Sequence, residues 1–252
     1  MSLNAAMPGL GQMLSSDPPQ GSVLVVLGPP GSIKSGMSYS LMAKALDGPG
    51  DLDGCGIYIT LDESRASIEK NLTSLGIAIH PRIQVADLAS FIMFLEDAHK
   101  EDLGEEEILG VIAAKTSVPP MFALAGEPKA RRLRPRYLAI DSLNGLMSLT
   151  KLEGARLRRR LSKLLYTLRQ QGLTSFLILE TTQGWTNAPE LHLADGVIEL
   201  GFDKTPDDLF RRFVWIRKMR STEHTLDPYL FEVTPQGLSI VGILIGEPTI
   251  PR

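Results

Sequence analysis

The stretch Gly28-Pro29-Pro30-Gly31-Ser32-Ile33-Lys34-Ser35 brings two glycines, a lysine and hydroxyls together where an apolar run ends and a helix-forming run begins. That combination suits an anion. A turn at a helix N-terminus aims backbone N–H groups and the positive end of the helix dipole at phosphate oxygens. Lys34 would then reach the outer phosphates of ATP as a point charge, and the Ser35 hydroxyl would ligate Mg²⁺. Gly28, Gly31, Ser32 and Ile33 complete the expected phosphate-binding set. One position departs from the pattern. A glycine is expected immediately before the lysine, and Ile33 stands there. A positive φ at that place suits glycine and is least suited to a β-branched side chain. Weakened or altered nucleotide binding is therefore an expectation from the sequence.

The second anchor is Asp141, at the end of the apolar run Tyr137-Leu-Ala-Ile140. In a phosphate-loop fold an Asp at that strand end holds the metal's water shell, so Ser35 and Asp141 are the expected metal residues. The elements needed to position these groups are legible. Ser22 to Leu27, Gly56 to Leu61 and Ser175 to Leu179 are continuous apolar runs, the pattern of strands buried on both faces. Lys34 to Ala45 reads as a helix closed by Gly48-Pro49-Gly50, Arg82 to Ala86 as a strand and Ala89 to His99 as a helix. Glu153 to Gln171 is amphipathic, with Leu157, Leu161, Leu164, Leu165 and Leu168 on one face.

From about Gly196 the chain turns to strands: Val197–Leu200, Phe213–Ile216, Tyr229–Val233 and Leu238–Val241. Alternating strands and helices over the first 180 residues imply right-handed βαβ units. The expected fold is α/β, with a mainly parallel central sheet flanked by helices and a few antiparallel C-terminal edge strands. Residues 1–20 read as an irregular lead-in, and the core of one domain runs from about 8 to 243. Residues 100–135 carry an acidic run, a Pro-rich loop and a basic loop from Arg131 to Arg136, the composition of solvated surface.

Composition sets the outer limits. The chain has 252 residues, 43% hydrophobic and 22% charged, ordinary for a soluble globular protein. A single cysteine, Cys55, excludes an intrachain disulfide and fits a reducing, cytoplasmic compartment. The four histidines show no metal-ligand spacing, and no apolar run is long enough to span a bilayer. A net charge of −3 argues against a chain that coats nucleic acid.

With both anchors placed, the chain resembles the RecA superfamily, specifically its single-domain KaiC-like branch related to RadA. Pro8-Gly-Leu-Gly11 with Gln20-Gly-Ser-Val23 is similar to the family's entry segment, and Gly11 stands where an Asp is usual. Gly56-Ile-Tyr-Ile-Thr-Leu-Asp-Glu-Ser64 is similar to its second strand and acidic pair. Tyr137 to Ser142 resembles its metal-binding strand, and Leu193 to Leu200 its late strand entry. Arg211 to Arg220 with Phe231 to Leu238 is the most specific run.

The resemblance implies that Asp62, with Glu63 beside it, orients or deprotonates the attacking water, although Asp is a methylene shorter than the usual Glu. It implies that Lys218 and Arg220 reach the γ-phosphate held by a neighbouring subunit, which would require a homo-oligomeric ring, a hexamer. Glu180, with Thr181 and Thr182, falls where such folds place a group that senses the γ-phosphate. The implied function is a slow oligomeric ATPase acting as a regulatory switch on a protein partner. Two rivals stay open. One is a nucleotide-binding regulatory module with little or no hydrolysis, suggested by Ile33 and Asp62. The other is a RadA-like DNA-binding ATPase, suggested by the arginines at 131–136 and 156–160. Nucleic acid is the less favoured partner, because the second cluster lies on an amphipathic helix whose outer face needs solvating groups. Ser221 and Thr222 stand near the place where some KaiC-like domains phosphorylate themselves, but hydroxyls are common in such loops.

Overall fold

The computed structural model describes residues 7–48, 53–87, 121–122, 131–150, 154–181, 189–246 and 248. Its frame is a nine-stranded sheet. Strand β1 (Val23–Gly28) is buried throughout, as an apolar run without alternation requires. It pairs in parallel with β7 (Thr174–Glu180) on one side and β8 (Gly196–Lys204) on the other. Beyond β7 come β6 (Arg134–Asp141), β2 (Gly54–Thr60) and β3 (Ile83–Asp87), all parallel. Beyond β8, three antiparallel strands close the order: β9 (Phe210–Met219), β10 (Tyr229–Thr234) and β11 (Gly237–Ile243). A separate pair joins β4 (Met121–Phe122) to β5 (Arg131–Arg132).

The helices divide between the two faces. Leu24 and Val26 of β1 enter one core with the buried side of α1 (Lys34–Leu46) and of α2 (Arg65–Ser74). Val23, Val25 and Leu27 enter the other core, with α3 (Leu143–Thr150), α4 (Gly154–Gln170) and the short α5 (Pro189–Leu193). The five leucines picked out by their helical spacing are all buried on α4, while Arg158, Arg159 and Lys163 point to solvent. Because α1 and α4 cover opposite faces, a crevice opens at the carboxyl ends of the parallel strands, the usual ligand position in such sheets.

Most of the expected elements are present, with corrections at particular places. Residues 131–136 are not a loop: they form β5 and the start of β6. α3 follows Asp141 at once, a helix that the sequence reading did not separate from its surroundings. Strand β9 is longer than expected at both ends. The lead-in is tied down: Met7, Leu10, Met13 and Leu14 are buried, and the Ile240 N–H donates to the Pro8 carbonyl. The expected helix at 89–99 and the acidic run at 101–107 lie outside the described residues.

Candidate functional site

The crevice is a cleft of about 1060 Å³ whose walls include Lys34, Ser35, Asp62, Asp141 and Glu180. Its floor is the Gly28–Ser35 loop. Gly28 is required by close approach, because a Cβ there would lie 2.2 Å from the Leu200 carbonyl oxygen of β8. Ile33 adopts φ 68° and ψ 33°, the left-handed conformation for which glycine is the ordinary residue. Such a conformation costs a non-glycine residue about 1–2 kcal/mol.

Two neighbours explain how isoleucine is accommodated. Its side chain packs against the core with Leu75, the residue that follows α2. Gly36 leaves the space for it, since a Cβ at 36 would meet Ile33 Cγ2 at 2.8 Å and Leu75 Cδ1 at 2.9 Å. The bulk gained at 33 is thus matched by a missing side chain at 36. Gly36→Ala is therefore expected to lower stability by about 1–3 kcal/mol through overpacking. Part of that loss, the share due to Ile33 rather than Leu75, should vanish in Ile33→Gly/Gly36→Ala, measured as a double-mutant cycle in chemical unfolding. Additive costs would show that the two positions are independent.

Lys34 is nearly buried, with a side chain 8% exposed. Its Nζ donates to the Pro29 carbonyl at 2.8 Å and lies 3.7 Å from Glu180 Oε2. Burial pulls its pKa below the ordinary lysine value, and the charges of Glu180 and Asp141 partly offset that. Glu180 ends β7 with its side chain half exposed, and its backbone is clamped by Asn144: Nδ2 donates to the Glu180 carbonyl at 3.1 Å, and Oδ1 accepts from the Glu180 N–H at 2.8 Å. The Ser32 hydroxyl is buried without a hydrogen-bond partner among the described residues. It does not line the cleft, so the backbone is what Ser32 can offer a phosphate.

Asp141 ends β6 beside the loop. Tyr58, from the middle of β2, donates its phenolic hydrogen to Asp141 Oδ2 at 2.5 Å. The Ser35 hydroxyl is in hydrogen-bonding contact with both groups. Burial pushes the Asp141 carboxyl above its usual range, opposed by those two hydrogen bonds. It also holds the Tyr58 phenol well above its ordinary value, reinforced by the Asp141 charge, so Tyr58 stays a donor. A hydroxyl and a carboxylate oxygen at the mouth of a phosphate loop are the hard ligands that Mg²⁺ takes when it keeps most of its water shell. Among the described residues no group of three or more His, Cys, Asp or Glu could hold a metal.

The acidic pair separates. Asp62 turns toward Asp141's neighbour: Ser142 Oγ donates to Asp62 Oδ2 at 2.5 Å and accepts from the Gly145 N–H at 3.0 Å. Ser142 thereby caps α3 and fixes the short carboxylate near that helix's positive end. Gly145 matters here, because a Cβ would come within 2.7 Å of Asp62 Oδ1. Glu63 instead turns to α2, where its Oε2 accepts from Ser67 Oγ at 2.6 Å and Asn71 Nδ2 at 3.0 Å.

Lys218 and Arg220 are not brought to this cleft. Both stand where β9 ends beside the start of β8, with Lys218 paired to Val197. Lys218 Nζ donates to the Ala194 carbonyl at 2.6 Å and the Leu191 carbonyl at 3.3 Å, closing the C-terminal end of α5. Its pKa is lowered by burial, then by the nearby Arg220 charge. Arg220 reaches Asp195 Oδ1 at 3.3 Å and keeps its side chain 55% exposed. Asp195 Oδ2 also accepts from the Val23 N–H at 2.9 Å, at the opposite end of β1 from the phosphate loop. Val23 to Gly28 spans about 17 Å at 3.3–3.4 Å per residue, too far for either cation to serve its own chain's loop.

Tyr58, Gly36, Ser142 and Asn144 were missed by motif reasoning. Tyr58 carried a signal, a phenolic hydroxyl in a strand buried along its whole length. Ser142 carried one too, standing directly before a helix. Thr182 lies outside the described residues.

Comparison with known proteins places this geometry. A family model described as the KaiC ATPase matches residues 3–244. A UPF0273 protein of Thermotoga maritima is 26% identical over 94% of this chain and 95% of its own length. The circadian clock oscillator protein KaiC of Synechococcus elongatus is 25% identical over 75% of this chain, which corresponds to 35% of that longer protein. The solved structure of a KaiC-like protein from Pyrococcus horikoshii superposes with a TM-score of 0.66 at 23% identity, covering 96% of this chain and 99% of that one. That last likeness bears on the fold alone.

Proposed function

Since the chain belongs to the KaiC family of ATPases, we propose that it binds ATP with Mg²⁺ in the Gly28–Ser35 cleft and hydrolyses it slowly within a homo-oligomeric ring. The observation that carries this is that Lys34, Ser35 and Asp141 line a single cleft, although Asp141 lies 106 positions after Ser35. The loop's N–H groups and Lys34 bind the β- and γ-phosphates. Ser35 and Asp141 would hold Mg²⁺, which would supply positive charge to offset that of the phosphates. Asp62, kept in place by Ser142, orients the attacking water and takes its proton. Glu63 steadies α2 rather than touching water. Lys218 and Arg220 act on the loop of the neighbouring subunit, which makes each active site the property of an interface. Residues 8–243 form one domain of a hexameric ring, a cytoplasmic switch whose nucleotide state is read by a protein partner.

A thermal unfolding series tests the binding half. A ligand at a hundredfold its Kd stabilises by about 2.7 kcal/mol, which raises the Tm of a chain this size by about 5–10 °C. ATP with Mg²⁺ should do so, and an unchanged Tm would count against the proposal.

Glu180 supplies a further expectation. Its carboxylate competes with the γ-phosphate for Lys34 and repels it. Because Glu180 is half exposed, the effect is screened and modest. Glu180→Gln should tighten ATP binding about three- to tenfold, on the order of 1 kcal/mol, with a smaller gain for ADP in calorimetric titration. Equal gains for both nucleotides would place Glu180 away from the γ-phosphate.

A second reading, binding with little hydrolysis, is supported by one observation: the Asp62 carboxylate is already engaged by Ser142 at 2.5 Å. If that bond persists when ATP is bound, the site stores the nucleotide state without turning it over.

A further inference from the structure

We propose that Tyr58 is a positioning residue for the Mg²⁺-binding carboxylate, setting metal affinity without touching metal or nucleotide; this rests on the reading of Ser35 and Asp141 as the metal residues.

The geometry begins with strand register. Thr60 of β2 pairs with Asp141 of β6, and Tyr58 pairs with Ala139. Tyr58 and Asp141 are therefore diagonal neighbours on one face of the sheet, a separation that a long side chain can span and a short one cannot. The phenolic oxygen does span it, at 2.5 Å from Asp141 Oδ2. One carboxylate oxygen is thereby committed to Tyr58, and the same residue lines the cleft.

The ring that delivers this hydroxyl is itself held. Tyr58 is completely buried, and its ring meets that of Tyr39 at 5.7 Å between centroids with planes tilted by 55°. Tyr39 is in turn fixed by its own hydroxyl, which accepts from the His80 N–H at 3.0 Å. Tyr39 also stands four residues after Ser35 on α1, so it lies one turn along the same helix face. The two tyrosines thus brace the helix that carries Ser35 against β2, the strand paired with the one that ends on Asp141. A buried carboxylate that lost this donor would leave an oxygen unsatisfied and be free to rotate about χ2, which metal binding would then have to reverse.

Partners that orient a metal ligand are worth about 10- to 100-fold in metal affinity when removed. Tyr58→Phe deletes one oxygen and keeps the ring, so packing against Tyr39 survives. ATP binding is titrated at fixed nucleotide over a range of free Mg²⁺, and in EDTA for the metal-free limit. The Mg²⁺ concentration at half-saturation is expected to rise about tenfold or more in Tyr58→Phe. Metal-free nucleotide affinity should stay within a factor of about two, and Mn²⁺, which binds oxygen ligands more tightly, should recover most of the loss.

An unshifted Mg²⁺ half-point would overturn the inference. So would an equal loss in EDTA, which would make Tyr58 a support of the fold rather than of the metal ligand. Wild-type protein that binds ATP equally well with Mg²⁺ and with EDTA would overturn the metal reading underneath it, an outcome distinct from either.

Discussion

Lys34→Ala should raise the Kd for ATP about 30- to 150-fold, the equivalent of about 2–3 kcal/mol for hydrogen bonds between a charged donor and phosphate. The size follows from where the ammonium sits. It is almost buried, its pKa is pulled down by that burial, and its fixed partners are a carbonyl and the exposed Glu180 carboxylate. The apo protein therefore holds a desolvated cation that a triphosphate compensates far better than Glu180 does. The same reasoning predicts that the variant folds normally, because the substitution removes a costly buried charge and leaves no charged group buried in its place. Isothermal titration gives the affinity, and thermal unfolding without nucleotide should show a Tm unchanged or slightly raised. Loss of binding together with loss of folding would assign Lys34 a structural role instead.

Arg220→Ala should reduce phosphate release by about 10³-fold while leaving ATP affinity within about threefold, the pattern of a group that stabilises charge only as the phosphoryl group transfers. Arg220 stands a full strand length from its own phosphate loop, so the proposed effect on phosphate release is one exerted across an interface. That makes a mixing experiment decisive. Arg220→Ala subunits keep an intact loop, and Lys34→Ala subunits keep an intact arginine. In an equimolar mixture that assembles at random, about one quarter of the interfaces (one half times one half) join an intact loop to an intact arginine. About a quarter of wild-type activity should therefore return from two inactive preparations. No recovery would mean that Arg220 matters only through Asp195, as a support for the start of β8.

How much of this could be read in the sequence depends on the distance over which the information travels. The loop, the strand before it and the helix after it are local, and the residue types between 22 and 46 specify them. Asp141 was legible for the same reason, as a charge closing an apolar run. The fate of Ile33 was not. It is decided by Gly36, whose missing side chain has no meaning until the helix turns it toward Leu75. Tyr58 reaches Asp141 across 83 positions, and only the β2–β6 register makes them neighbours. The acidic pair reads as two equivalent carboxylates, whereas Ser142 and the Ser67–Asn71 pair send them opposite ways. Arg131 to Arg136 read as a loop because arginines dominate; a strand forms there because β6 pairs with β2 from Arg134 onward.

The most direct test of the central claim is a titration of the wild-type chain with ATP in Mg²⁺, with phosphate release followed in the same sample. Saturable binding at one site per chain, weakened in EDTA and in Lys34→Ala and accompanied by slow phosphate release, is the predicted result. Absence of saturable ATP binding would contradict it, and would mean that isoleucine in the left-handed position before the lysine has disabled the loop.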